Sequence, residues 1–266
     1  MTVAVLIIGH GAIGSYVAGR LANVPELAIR WALVRPGRED RARAVFGSGV
    51  TPINSLDQMA EMPDVALECA SHTAVAEHGV HILQRGIDLG VVSTGAFSEL
   101  GLAESLEVAA HEGGAQLSIL SGAIGAVDAL ASAAEGGLDE VVYSGTKPPA
   151  AWAGSAAESV CDLGTLTAAH TFFEGSAREA ARTYPKDANV AATVALAGTG
   201  LDHTTVRLTA DPAAPGNTHR VQATGAFGSM DVTFTGRALP DNPKSSALTA
   251  MCAVRFLRNR ARAVVI

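Results

Sequence analysis

The chain has 266 residues, 19 Lys+Arg against 26 Asp+Glu, a formal net charge of −7, 48% hydrophobic residues and 17% charged ones. That balance excludes a disordered chain, which needs low hydrophobicity with high net charge. An acidic chain without a basic run also lacks a phosphate footprint for nucleic acid.

The first 120 residues alternate short β-type runs with helical stretches. Strands are expected at Val3–Ile8, Leu27–Val34, Val65–Cys69, Ile87–Ser93 and Gln116–Leu120. Helices are expected at Gly14–Ala22, Glu39–Phe46, about Ala74–Gln84 and Ser98–His111. Unbroken apolar strands alternating with helices imply right-handed parallel crossovers, hence a doubly wound α/β sheet. The pattern changes after residue 121. Helices are expected at Ile124–Glu135, Ala177–Arg182 and Asn189–Ala197, and strands at Asp139–Ser144, Thr165–Phe173, Thr204–Ala210, Thr218–Gly225 and Met230–Arg237. The last three strands follow one another across short turn-rich pieces, which suggests antiparallel pairing in an α+β domain. Asp241-Asn242-Pro243 then opens a final helix over Ser245–Arg262. The expected organisation is a dinucleotide-binding Rossmann domain (1–121), a substrate and oligomerisation domain with a largely antiparallel sheet (122–240), and a C-terminal helix (241–266) packing back toward the first domain.

Cys69, Cys161 and Cys252 are widely spaced with no CxxC, so neither a disulfide framework nor a zinc knuckle is expected. The apolar start lacks a basic n-region and runs into glycines, unlike a secretory signal. With no run of 18 apolar residues, no membrane span is expected either. A reducing cytoplasm is the expected location.

Gly9-His10-Gly11-Ala12-Ile13-Gly14 is a GxGxxG placed directly after a strand and opening a helix. Gly9 permits the tight turn, Gly11 lets main chain approach a pyrophosphate, and Gly14 lets helix and strand pack closely; the helix N-terminus supplies N–H donors. Gly9, Gly11, Ala12, Ile13 and Gly14 are therefore expected to hold NAD or NADP. The ribose-reading position after the second strand carries Arg35 and Arg38 instead of an acidic residue. Arginine there accepts a 2′-phosphate, so NADP use is expected, alongside NAD. Ala70-Ser71 and Ser93-Thr94-Gly95, at the ends of later strands, are small or polar, as loops beside a cofactor need to be.

His72, His78 and His81 complete no ligand set, so no metal site is expected. The three lysines, Lys147, Lys186 and Lys244, each adjoin a proline. Lysines in stiff loops suit a substrate carboxylate as point charges. His219 shares a strand face with Val221 and Ala223, and a partly desolvated imidazole there suits acid–base work. The pattern also admits a satisfied core histidine, and His203 stands in a comparable place before another strand.

Four segments together resemble the L-aspartate dehydrogenase family: Gly9–Gly14, Ser121-Gly122-Ala123-Ile124-Gly125-Ala126-Val127-Asp128-Ala129, Tyr184-Pro185-Lys186-Asp187-Ala188-Asn189-Val190-Ala191-Ala192-Thr193, and Asp241-Asn242-Pro243-Lys244-Ser245-Ser246. The resemblance runs over essentially the whole chain. It implies NAD(P)-dependent oxidative deamination of L-aspartate to oxaloacetate and ammonia through iminosuccinate, with the imine also feeding NAD production. It further implies that Ala123 and Asn189 contact the cofactor and that His219 is the active-site residue. Asp187-Ala188 departs from the expected Asn-Val pair but leaves Lys186 and Asn189 in register. Lys186, Asn242, Lys244 and Ser245 are nominated for the substrate carboxylates, with Arg207 and Arg237 as further donors. A reductase of another small dicarboxylate or imine, of the dihydrodipicolinate reductase or homoserine dehydrogenase type, shares this general plan. So does an NAD(P)H-sensing regulator. A homodimer is expected through the second half's strands.

Overall fold

The computed structural model describes residues 2–185, 188–240 and 242–266, with the side chains of Pro243 and Lys244 outside that description. The chain divides into two compact units. One comprises the residues through Leu120 with Pro240–Ser245 and Thr249–Ile266; the other comprises Ser121–Leu239 with Ser246–Leu248.

The first unit runs β1 (Val3–Ile8), α1 (Ala12–Leu21), β2 (Leu27–Leu33), α2 (Glu39–Phe46), β3 (Thr51–Ile53), β4 (Val65–Glu68), α3 (His72–Gln84), β5 (Asp88–Val91), α4 (Leu102–Gly113) and β6 (Leu117–Ile119). Its sheet is parallel in the order β3-β2-β1-β4-β5-β6. The order reverses between β1 and β4, and that switch point is where an open α/β sheet offers a ligand crevice at its carboxyl ends. Val5, Leu6, Ile7, Val65, Ala66 and Leu67 are buried because helices cover both faces. The C-terminal helix Ala247–Asn259 brings Cys252, Ala253, Val254 and Leu257 into the same core as Val5, Val17 and Leu67. Each such fully buried Val or Leu contributes roughly 1.5–3 kcal/mol. Gly90 in β5 makes room for Phe256 of that helix, since a Cβ there would lie 2.5 Å from its ring.

The second unit runs α5 (Val127–Ala134), β7 (Leu138–Lys147), β8 (His170–Ser176), α6 (Ala177–Thr183), α7 (Asn189–Ala197), β9 (Thr205–Ala210), β10 (Thr218–Gly225) and β11 (Gly228–Thr235). The sheet order is β11-β10-β7-β9-β8; β7 and β9 are parallel and the other neighbours antiparallel. Period-two alternation is visible in β10: His219, Val221 and Ala223 are buried, while Arg220 faces solvent and pairs with Asp231 at 2.5 Å.

Local chemistry explains where elements depart from expectation. Thr51–Ile53 is a strand that periodicity did not predict; it is three residues long, and its Pro52 is tolerated at the sheet edge. The strand expected at Thr165–Phe173 starts instead at His170, because Asp162 closes a turn by accepting from Gly164 N at 3.1 Å and Thr165 N at 3.3 Å. The helix expected from Ser98 starts at Leu102, after a 3₁₀ turn over Thr94–Ser98 and Gly101 in the left-handed region. That expected from Ile124 starts at Val127, after Ala126 at φ 59°. The final helix starts at Ala247 rather than Ser245, because Asn242–Ser246 is extended.

Candidate active site

In the first unit the glycine turn closes over the switch point. Gly9, at φ 98°, donates its N–H to Leu33 O at 3.0 Å. A Cβ on Gly9 would lie 2.8 Å from Ala70 Cβ, so only glycine fits between the loops after β1 and β4. A Cβ on Gly14 would meet Gly9 O at 2.9 Å, whereas one on Gly11 would meet nothing within 4 Å. The open space at Gly11 lies at the N-terminus of α1, where N–H groups and the helix dipole favour a phosphate. Ala12 and Ile13 form the helix's first turn, and Ile13 packs on the core. These residues fit a dinucleotide pyrophosphate. Ala70 and Ser71 are exposed on the facing loop, and Ser71 Oγ caps α3 by accepting from Ala74 N at 3.2 Å.

Beneath these loops lies Glu68, a residue the sequence reading passed over. It is fully buried and accepts from Ala70 N (2.7 Å), Ser71 N (2.9 Å), Ser93 N (3.0 Å) and Ser93 Oγ (2.8 Å). Burial holds its carboxyl above the ordinary carboxylate range, against the downward pull of those donors. One side chain therefore fixes the loops after β4 and β5. The Ser93-Thr94-Gly95 segment, expected to line the crevice, is buried, and its serine is engaged with Glu68. The signal available in the sequence was a carboxylate ending an otherwise apolar strand.

Arg35 stands exposed after β2, and its carbonyl accepts from Arg38 N at 3.1 Å. Partial burial, then the charges of Arg41, Arg38 and Arg35, hold His10 of the glycine turn below the ordinary imidazole range. The charges of these three arginines thus act on the histidine of the GxGxxG. None of them makes a side-chain ion pair among the described residues, whereas Arg43 of the same helix pairs with Asp40 at 2.7 Å. Asn242 and Ser245 also belong to this unit and bond to each other, Nδ2 to Oγ, at 3.2 Å. Lys186 and the Lys244 side chain lie outside the described residues.

In the second unit His219 is 5% exposed, on the inner face of β10. Tyr143 Oη lies 2.7 Å from its Nδ1. Burial first, and the Lys147 charge second, lower its pKa to about 4, so the ring is neutral at physiological pH. Lys147 is itself buried, with its ammonium 4.4 Å over the Trp152 ring. Among the described residues it is the proline-flanked lysine whose charge acts on the imidazole; the Lys147-Pro148 pair was the available signal. His203 is exposed, unlike His219. Phe234 pairs opposite His219, and a Cβ on Gly125 would lie 2.5 Å from its ring, so the Ser121–Ala126 segment packs beside the histidine's neighbour. Ala123 of that segment is buried, and Ala126 is the single non-glycine with positive φ among the described residues. Asn189 stands half-buried at the start of α7, its carbonyl accepting from Thr193 Oγ1 at 3.0 Å. Among the described residues no group of three His, Cys, Asp or Glu gathers as a metal site, and no helix is long and apolar enough to cross a membrane.

A parallel sheet with a glycine turn at its switch point, followed by an α+β unit carrying a buried imidazole, defines a two-unit NAD(P)-dependent oxidoreductase. The family model described as "Aspartate dehydrogenase, C-terminal" matches residues 128–260, and "Homoserine dehydrogenase, NAD binding domain" matches residues 9–119. The chain belongs to the L-aspartate dehydrogenase family. It is 52% identical over 265 residues to the L-aspartate dehydrogenase of Cupriavidus necator and 49% identical over 264 residues to that of Pseudomonas aeruginosa, each alignment covering 98% of this chain and 99% of the relative. The crystal structure of aspartate dehydrogenase from Thermotoga maritima matches with a TM-score of 0.80 and 27% identity, covering 100% of both chains. A hyperthermophilic archaeal homoserine dehydrogenase in complex with NADPH shares the fold alone, with a TM-score of 0.64 at 12% identity over 98% of each chain.

Proposed function

We propose that the protein catalyses the reversible NAD(P)-dependent oxidative deamination of L-aspartate to oxaloacetate and ammonia through iminosuccinate. The observation that carries this reading is the buried, neutral imidazole of His219, in a chain half-identical to enzymes named for the reaction.

Cofactor contacts are assigned to Gly9, Gly11, Ala12, Ile13 and Gly14, to Ala70 and Ser71, and to Ala123 and Asn189. Arg35, supported by Arg38 and Arg41, takes the 2′-phosphate of NADP. When bound, the nicotinamide ring supplies the two-electron acceptor for the hydride on the aspartate Cα. His219 acts on the resulting iminosuccinate. Its neutral ring removes a proton from the water that adds to the imine carbon, then returns a proton to the departing amine. Burial of the ring strengthens each of these contacts relative to water. Two substrate carboxylates require cations and donors; Lys147, Lys186 and Lys244, with Asn242 and Ser245, are assigned to them.

The enzyme is further proposed to be cytoplasmic, to feed NAD production through its imine, and to form a homodimer. The dimer reading is supported by β11 and β8, two sheet edges that need cover.

The test mixes protein, NADPH and oxaloacetate and follows the absorbance of the reduced cofactor. Loss of absorbance only when ammonium is added is the expected result. Loss without ammonium makes the protein a keto-acid reductase, and binding without loss makes it a sensor; either outcome overturns the reading.

A further inference from the structure

Tyr143 Oη and His219 Nδ1 lie 2.7 Å apart with both side chains buried, and the rings are near-parallel, 21° between planes with centroids at 6.1 Å. The ladder explains how they meet. Tyr143 stands opposite Val221, and His219 stands opposite Gly145. Tyr143 and His219 are thus diagonal neighbours on one sheet face, a separation an aromatic side chain can span. Gly145 keeps the path open: a Cβ there would lie 2.9 Å from Tyr143 Oη and 3.3 Å from Leu208 Cδ2. Glycine in a strand interior costs stability and marks a close approach, and here the approaching group is the phenol on its way to the imidazole.

We propose that Tyr143 is the positioning residue of His219: its hydroxyl oxygen accepts from the Nδ1–H of the imidazole and so makes Nε2 the nitrogen that exchanges protons with substrate. A neutral imidazole carries one N–H, and its other nitrogen is the base. With the proton held at Nδ1, the Nε2 lone pair takes a proton from the attacking water. The ring becomes an imidazolium with both nitrogens protonated, and the bond from Nδ1 to the phenol oxygen is unchanged. Return of the Nε2 proton to the departing amine restores the starting tautomer; as the C–N bond breaks and the carbonyl forms, the carbinolamine O–H proton leaves with the ammonia as ammonium, so the cycle balances without a further donor. A phenol holds the ring without the negative charge a carboxylate partner would bring, which keeps the resting imidazole neutral beside Lys147.

This inference rests on the acid–base role assigned to His219, and the experiment separates the two. Tyr143→Phe in the full-length enzyme is expected to lower kcat at least about tenfold, the equivalent of one hydrogen bond, while leaving the KM for the nicotinamide cofactor within about twofold. In ¹⁵N NMR the His219 ring is expected to pass from the Nδ1–H tautomer to a mixture of the two neutral forms. Gly145→Ala keeps the hydroxyl but displaces it, and is expected to give the same spectral change with a smaller loss of kcat. If Tyr143→Phe fails to fold, the tautomer of the wild-type ring and the Gly145→Ala spectrum decide the matter. Wild-type kcat with an unchanged tautomer overturns the proposal, as does a wild-type ring carrying its proton on Nε2. Inactive His219→Ala beside a fully active Tyr143→Phe removes Tyr143 alone, whereas an active His219→Ala removes the acid–base reading beneath it.

Discussion

In the first unit the surface proposed to hold the cofactor is mostly main chain: Gly9 against Ala70, open space at Gly11, and the N-terminus of α1, with the buried Glu68 tying two loops together from below. In the second unit the proposed chemistry rests on side chains projecting from a sheet: His219, Tyr143 and Lys147, set by register on β10 and β7. Each unit holds a buried group, Glu68 in one and His219 in the other, that burial moves toward neutrality, raising the carboxyl and lowering the imidazole. The difference lies in their partners. Glu68 meets four donors, which suits an architectural part, while His219 meets one phenol at Nδ1, and its other nitrogen is the one proposed for proton transfer. A buried ionisable group held on every side is scaffold; one held on a single side is equipped to react.

The contrast breaks most visibly at His219. His219→Ala should cut kcat by about 10²–10⁴-fold, the span of general acid–base catalysis, while NADPH fluorescence titration shows cofactor binding unchanged. In the wild type, the imidazole must be deprotonated to accept the water proton. The pH profile of kcat/KM for deamination should therefore show no break near 6.5, and its acid limb should fall only as pH drops toward about 4. Equal loss of turnover and cofactor binding would make His219 structural.

At Glu68 the expected loss is of stability rather than of chemistry. Glu68→Ala strands four donors, the two of Ser93 buried, and should cost about 3 kcal/mol in denaturant unfolding, with a raised KM for cofactor as the Ala70-Ser71 loop loosens. Glu68→Gln, which retains one acceptor oxygen, should fall between. An unchanged midpoint would end the assignment of Glu68 as the pin of the two loops.

The smallest expected effect concerns the arginines around His10. Arg35→Ala and Arg38→Ala should each raise the KM for NADP roughly tenfold, as loss of a charge-assisted contact worth about 1.4 kcal/mol requires. The KM for NAD should stay level. Equal changes for both cofactors would place these arginines on the surface rather than on the 2′-phosphate.

Much of this was legible before any coordinates. Val3–Ile8, Glu39–Phe46, Asn189–Ala197 and Thr218–Gly225 occupy the bounds that periodicity gives them. The parallel sheet follows from unbroken apolar runs, and the glycine turn from its place between a strand and a helix. Less legible were the short edge strand Thr51–Ile53, the late start of β8 and the extended Asn242–Ser246, where turn chemistry and pairing partners outweigh local propensity.

The sequence by itself determined the two-part plan, the dinucleotide turn and the histidine worth testing, because each is written in neighbours: a period of two or of 3.6, or glycines at fixed spacing. Tertiary structure alone decided that Glu68 ties the loops after two strands, that the charge of Arg41 acts on His10 together with those of Arg35 and Arg38, and that Tyr143 reaches His219 past Gly145. Those partners lie 25 residues apart for Glu68 and Ser93 and 76 apart for Tyr143 and His219. A hydrogen bond across such separations exists only once crossovers and register have brought the strands side by side, and no local pattern encodes it.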